Sequence, residues 1–180
     1  KFGVWPDAYY ISFNMFAGGQ FFSGGHACAI DRNQMITPAG VPGPIVCFQL
    51  GTTYGGLLPA DLDGATPPPA GSPNFFLAYD FNTLNRLQLW KFKVDFVNPG
   101  NSTFTGPTFI PVTAFAEACG GGACVRQSGT SQRLASLGDR MMYRLAYRNF
   151  GTHESLLANH SVTVSSRTGI RWYELRNPNG

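Results

Sequence analysis

The chain has 180 residues, of which 43% are hydrophobic and only 13% charged, and its formal net charge is +3. The hydrophobic share excludes a disordered chain, and the small net charge argues against nucleic-acid binding. No apolar run approaches the roughly 18 residues that a membrane helix needs. Gly (22) and Pro (13) are abundant, and both destabilise helix interiors. The composition therefore predicts an all-β fold of short strands joined by many turns.

The predicted strands fall into three groups, at about residues 1–50, 58–115 and 133–180. In chain order the strands are predicted at 8–16, 26–31, 45–50, 74–80, 87–96, 104–112, 140–147, 155–164 and 169–176. Similar groups recur at intervals of roughly 60 to 80 residues, which is typical of β-propeller blades. The pattern thus predicts a single all-β domain that forms several blades of a propeller, with a β-sandwich as the alternative.

The four cysteines form two pairs that are close in sequence, Cys28 with Cys47 and Cys119 with Cys124. Neither pair has the Cys-x2-Cys spacing that is common in zinc sites. Three glycines separate Cys119 from Ala123 and allow a small ring to close there. Of the three possible connectivities, we predict Cys28–Cys47 and Cys119–Cys124, and four free thiols are the alternative. Disulfides indicate an oxidising compartment, so we expect an extracellular, secreted protein.

Arginines are concentrated at the C-terminal end, where residues 126–180 hold eight Arg and only three acidic residues. Alternation over 140–148 places Arg140, Arg144 and Arg148 on one face of a predicted strand. The opposite face is apolar and consists of Met141, Tyr143, Leu145 and Tyr147. We call this row of three arginines the arginine ladder. Because a guanidinium binds carboxylate or sulfate in bidentate fashion, the ladder predicts a site for an anionic sugar. A solvated or salt-bridged strand face is the alternative.

Two residues of the last predicted strand are further candidates for ligand binding. Arg171 can hold an acidic group, and Tyr173 offers a ring on which a sugar can stack. The alternative role for Tyr173 is packing in the core, since 14% of the residues are aromatic and most of them are needed there.

Weak candidates for catalysis are His153, Glu154 and Asp63. A histidine beside a glutamate can act as a base with an orienting carboxylate, or as a pair of metal ligands. The alternative is a structural turn between two strands. Asp63 belongs to Asp61-Leu-Asp-Gly64, which is similar to part of a calcium loop. Ala70 stands where such a loop needs Glu, so an Asx-turn is the alternative, and calcium is the only candidate cofactor.

Five segments together resemble a family of secreted bacterial proteins with sialidase-like β-propeller character. The segments are FGVWPDAYY at 2–10, PADLDG at 59–64 together with residues 67–74, WKFKVD at 90–95, NSTFTGP at 101–107 and YRNFGTHE at 147–154. The resemblance covers essentially the whole chain and implies relatives that extend beyond both of its ends. It implies no particular reaction. The expected partners are the remaining blades of a longer chain or further copies of this one.

Two functions remain open at this point. The first is an extracellular binding or surface-assembly protein, whose ligand is unknown and could be an acidic glycan. The second is a carbohydrate-active enzyme, a sialidase-like glycoside hydrolase, in which arginines hold an acidic group and Glu154 or Asp63 is the acid or base. Glycoside cleavage normally requires two carboxyl groups about 5 to 9 Å apart. Sequence alone does not decide whether the chain is an enzyme.

Overall fold

The structure is a computed structural model that describes residues 1–37 and 43–180. These residues form an all-β fold with one short α-helix, α1 (Arg32–Met35), and two short 3-10 helices at Pro99–Asn101 and Ala118–Gly121. The strands are β1 (Phe2–Val4), β2 (Ala8–Ala17), β3 (Phe21–Asp31), β4 (Ile45–Gln49), β5 (Leu58–Leu62), β6 (Asn74–Tyr79), β7 (Arg86–Lys93), β8 (Thr103–Pro111), β9 (Ala123–Arg126), β10 (Arg133–Ala135), β11 (Leu145–Asn149), β12 (Glu154–Val164) and β13 (Arg167–Arg176). Strands β1, β5, β9 and β10 lie outside the predicted strands.

The strands form two large sheets and one two-stranded ribbon. The first sheet has the order β1-β2-β3-β4, and the second has the order β13-β12-β11-β5-β6-β7-β8. All neighbours are antiparallel except β11 and β5, which run parallel with Leu145 opposite Ala60. The ribbon consists of β9 and β10. Strands β11 to β13 therefore continue the sheet of β5 to β8, and they do not form a sheet of their own.

Aromatic side chains from both large sheets share one core. Trp5 and Tyr10 from the first part of the chain are fully buried against the second sheet. The ring centroids of Trp5 and Tyr147 are 4.6 Å apart, and those of Tyr10 and Phe92 are 5.2 Å apart, both edge to face. Such pairs add about 0.5 to 1.5 kcal/mol to the effect of burial alone. The two sheets are thus packed together through aromatic contacts.

Strand β1 lies directly against β5. A Cβ atom at Gly3 would collide with the carbonyl oxygen of Ala60, so only glycine allows this approach. Beside it, the backbone N–H of Val4 donates to Asp61 Oδ1 at 2.9 Å. These contacts hold the edge of the first sheet at the centre of the second. Within residues 1–37 and 43–180 the strands show no closed ring of blades. No helix in those residues has the length and apolar character needed to span a membrane.

Both predicted disulfides are present. Cys28 and Cys47 are directly opposite each other on β3 and β4, with Cα atoms 4.1 Å apart. Cys119 and Cys124 close a ring between the second 3-10 helix and β9, with Cα atoms 6.1 Å apart. Two disulfides fit an extracellular protein.

The predicted strand at 140–147 is wrong in its first part, because β11 begins only at Leu145. Met141 is buried but Tyr143 is 61% exposed, so side chains do not alternate regularly before Leu145. The segment instead packs on β12 as a loop, with Met142 N–H donating to the carbonyl of Asn159 at 2.9 Å. Arg140 and Arg144 therefore do not belong to a strand face together with Arg148.

Candidate functional site

Two of the three arginines of the predicted ladder are neutralised by carboxylates. Arg140 Nε donates to its neighbour Asp139 at 2.9 Å. The guanidinium of Arg144 lies 3.2 Å from Asp61 and 2.9 Å from Asp63. Arg148 is exposed, and its guanidinium lies 5.2 Å from the centroid of the Phe150 ring. The structure therefore does not join these residues into an open anion-binding ladder.

Arg171 and Tyr173, on β13, have structural partners. Arg171 Nη1 donates to the carbonyl of Thr113 at 2.7 Å, and its guanidinium lies over the ring of Phe115. Tyr173 is half-buried, and its hydroxyl is 2.9 Å from Nε2 of the fully buried His160. Burial raises the pKa of Tyr173 and lowers the pKa of His160 to about 4. The side chains of Arg171 and Tyr173 thus both contribute to packing around β13.

The three catalytic candidates are not brought together by direct contacts. His153 Nδ1 is 3.1 Å from Thr152 Oγ1, and its ring stacks on Phe150. Glu154 accepts hydrogen bonds from the Tyr147 hydroxyl and from Asn179 Nδ2. Asp63 is held by Arg144, as described above. His153 is therefore not oriented by Glu154 through any hydrogen bond in the part of the chain that the structure describes.

Asp61 and Asp63, the residues of the candidate calcium loop, share the single guanidinium of Arg144. Asp61 additionally accepts the N–H of Val4. Among the described residues there is no group of three His, Cys, Asp or Glu side chains placed to hold a metal ion. Calcium binding stays a prediction of the sequence.

A cleft with three other arginines lies between the β9–β10 ribbon and the β12–β13 hairpin. Arg126 and Arg133 are cross-strand partners in the ribbon, and Arg167 begins β13. The cleft has a volume of about 980 Å³, and its walls carry several hydroxyl groups. The hydroxyl residues are Thr163, Ser165, Ser166 and Thr168. A large cleft is thus lined by cationic and neutral hydrogen-bond donors.

The charge of this cleft is not compensated by the protein. None of Arg126, Arg133 and Arg167 has a carboxylate within 4.0 Å in residues 1–37 and 43–180, whereas Arg86, Arg140 and Arg176 each have one and Arg144 has two. Like charges directly opposite each other on neighbouring strands destabilise a sheet, and Arg126 is opposite Arg133. A bound anion would remove this repulsion. We call the cleft that Arg126, Arg133 and Arg167 line the arginine cleft.

The ribbon is attached to the hairpin by a disulfide-closed loop. Cys124 Sγ lies 3.4 Å from Thr168 Oγ1, and both cysteines line the cleft. The residues before the loop bond to β12, since Thr163 N–H donates to the carbonyl of Ala116 at 2.8 Å. After the loop, Ser136 Oγ donates to the carbonyl of Ala118 at 2.6 Å. These contacts hold both walls of the arginine cleft in place.

The arginine cleft was not found from the sequence, although a signal for it exists. No Asp or Glu occurs between Glu117 and Asp139, or between Glu154 and Glu174. Arg126 and Arg133 lie in the first of these acid-free segments, and Arg167 lies in the second. Arg126, Arg133 and Arg167 each lie at least six residues from the nearest Asp or Glu, so only a carboxylate that is more distant in sequence could neutralise them.

Comparison with known proteins gives no match: no protein-family model, no curated protein and no solved structure is similar to this chain. The resemblance to secreted proteins of sialidase-like character therefore stays a prediction. The chemistry of the arginine cleft is the remaining basis for a functional proposal.

Proposed function

We propose that this chain is an extracellular binding protein that recognises an acidic glycan in the arginine cleft. The observation that carries the proposal is the set of three arginines that line one cleft and have no acidic partner among the residues that the structure describes. Guanidinium groups bind carboxylate and sulfate through paired N–H donors. Serine and threonine hydroxyls in the same cleft can bond to sugar hydroxyls, which both donate and accept. The combination suits a glycan better than a simple anion.

The proposal includes secretion and a surface role. Two disulfides support an oxidising location, because they persist outside the cytosol and are rare within it. The expected partners are further copies of this chain or the other parts of a longer, surface-bound protein. For the architecture, the antiparallel order β1-β2-β3-β4 and β5-β6-β7-β8 supports propeller blades, while the core shared by the two sheets supports a sandwich-like packing. We favour the sandwich-like packing, because the shared core joins the two large sheets, whereas the strand order concerns each sheet separately.

A carbohydrate-active enzyme is the second candidate. The observation in its favour is the hydrogen bond from the Tyr147 hydroxyl to Glu154, because sialidases use a tyrosine as nucleophile. Tyr147 is fully buried, however, and this burial raises its pKa, as does its bond to Glu154. Because the Tyr147 side chain has no access to solvent, a sugar cannot reach its hydroxyl. Binding without cleavage is therefore the function that the geometry supports best.

The test is a calorimetric titration with a chondroitin sulfate hexasaccharide and with a polygalacturonate oligomer, and maltohexaose serves as the neutral control. Arg133→Gln and Arg167→Gln should each weaken binding of at least one acidic glycan. Loss of one charge-assisted bond costs about 1.5 to 3 kcal/mol. Arg148→Gln is the matched control, because Arg148 is exposed and does not line the cleft.

Three outcomes would contradict the proposal. The first is that neither acidic glycan binds. The second is that maltohexaose binds as tightly as the acidic glycans. The third is that Arg148→Gln weakens binding as much as the two cleft variants do, which would indicate attraction by net charge alone.

A further inference from the structure

A second, smaller cavity lies between the first sheet and the end of β6. Its volume is about 230 Å³, and it shares no lining residue with the arginine cleft. Residues of β2 and β3 line it together with Ala78, Tyr79, Phe81 and residues 139–141. From its walls, its charge and its size, we infer that this cavity binds one uncharged sugar ring. The inference does not rest on the proposed function of the arginine cleft.

The walls of the cavity are aromatic and open to solvent. Phe16 is 50% exposed and Phe81 is 39% exposed, while Phe22 is half-buried. The ring centroids of Phe16 and Phe22 are 5.7 Å apart. These rings are not consumed by the core, which is filled by fully buried aromatic residues such as Trp5 and Trp90. An exposed ring is a flat, rigid surface for the apolar face of a pyranose.

The polar groups of the cavity can bond to hydroxyl groups. Asn14 Oδ1 accepts the N–H of Gly56 at 2.9 Å, which directs the amide while its Nδ2 makes no hydrogen bond to the described residues. Asp139 and Arg140 bond to each other, and their side chains are 44% and 42% exposed. Each keeps hydrogen-bonding capacity beyond their mutual pair, since a carboxylate accepts about four bonds and a guanidinium donates five. A sugar hydroxyl can use both kinds of group at once.

Charge and size limit the ligand to a small, neutral one. Among the described residues, Asp139 and Arg140 are the only charged ones that line the cavity, and they neutralise each other. The neighbouring Lys1 ammonium is already bound to the carbonyls of Gly56 and Met141, at 3.3 and 3.2 Å. The volume falls below the range of about 300 to 1,000 Å³ of pockets for drug-sized ligands. A single monosaccharide unit fits these limits, and a longer segment would extend out of the cavity.

The test uses the intact, folded protein and saturation-transfer NMR with the methyl glycosides of glucose, galactose, mannose and N-acetylglucosamine, followed by titration. We expect at least one glycoside to bind. Phe81→Ala should weaken that binding about tenfold, through loss of the stacking surface. Asp139→Asn is a second variant, which should fold because exposed ion pairs contribute little stability, and it should weaken binding about fivefold or more.

Phe150→Ala is the matched aromatic control, because Phe150 is 51% exposed and does not line the cavity. It should leave glycoside binding unchanged. Arg133→Gln should also leave it unchanged, which separates this site from the arginine cleft. The inference is overturned if no glycoside binds at about 20 mM, a concentration above the dissociation constants expected for the weak binding of one sugar ring. It is equally overturned if glucuronate binds more tightly than the methyl glucoside, or if Phe81→Ala and Asp139→Asn both bind like the wild type.

Discussion

Acid should destabilise this protein through His160, a fully buried histidine on β12. Its ring stacks on Tyr173 with centroids 5.5 Å apart, and it lies edge to face against Phe115 at 4.4 Å. Burial, and to a smaller extent the nearby charge of Arg171, lower the pKa of His160 from 6.5 to about 4. The folded protein therefore keeps His160 neutral at pH values where the unfolded chain protonates it.

The sign and size of the effect follow from these two pKa values. The unfolded chain takes up a proton near pH 6.5, while the folded protein takes it up near pH 4. Because the unfolded state binds more protons between these values, the free energy of unfolding falls as the pH falls from 6.5 to 4. At 1.36 kcal/mol for each pKa unit, the loss is at most about 3 kcal/mol. Typical domains have only about 5 to 15 kcal/mol of stability.

Urea unfolding at several pH values would measure this loss. Tryptophan fluorescence is a suitable signal, since Trp5 and Trp90 are fully buried. His160→Phe keeps an aromatic ring against Tyr173 but removes the titration, so its stability should change less between pH 6.5 and 4 than that of the wild type. His153→Gln, a partly exposed position, is the control. If His160→Phe retained the full pH dependence, the reasoning would be refuted.

Two further predictions concern how the sheets are held together. Gly3→Ala should lower the free energy of unfolding by about 1 to 3 kcal/mol in thermal unfolding, because the new Cβ would collide with the Ala60 carbonyl. Gly100→Ala, which has open space around its Cβ, should have little effect. Equal losses of stability in the two variants would refute the close approach of β1 to β5. The double substitution Cys28→Ser and Cys47→Ser should lower stability by about 2 to 4 kcal/mol, because it opens a loop of 19 residues. If the double variant had the same melting temperature as the oxidised wild-type protein, the cross-strand disulfide would be contradicted.

The local features of the fold could be predicted from the sequence because they depend on neighbours along the chain. In β7, Trp90 and Phe92 are buried, while Lys91 is half-buried and Lys93 is exposed, so burial from Trp90 to Lys93 follows the alternation of apolar and charged residues in the sequence. The same holds for the disulfides, whose cysteines are 19 and 5 residues apart. In both cases the residues concerned are close in sequence, so the pattern of residue types along the chain is sufficient to predict the feature.

The candidate site was decided by tertiary structure, because it depends on which charges meet. Arg144 is paired with Asp61 and Asp63 only because β11 joins β5 in a parallel pairing, across about 80 residues of chain. Regular alternation along 140–148 could not reveal that partner. The arginine cleft has the converse origin, since Arg126, Arg133 and Arg167 remain uncompensated because the fold of the described residues places no carboxylate beside them. A sequence states how many charges a chain carries, and only the folded chain determines which of them are left for a ligand, because neutralisation requires contact within a few ångströms.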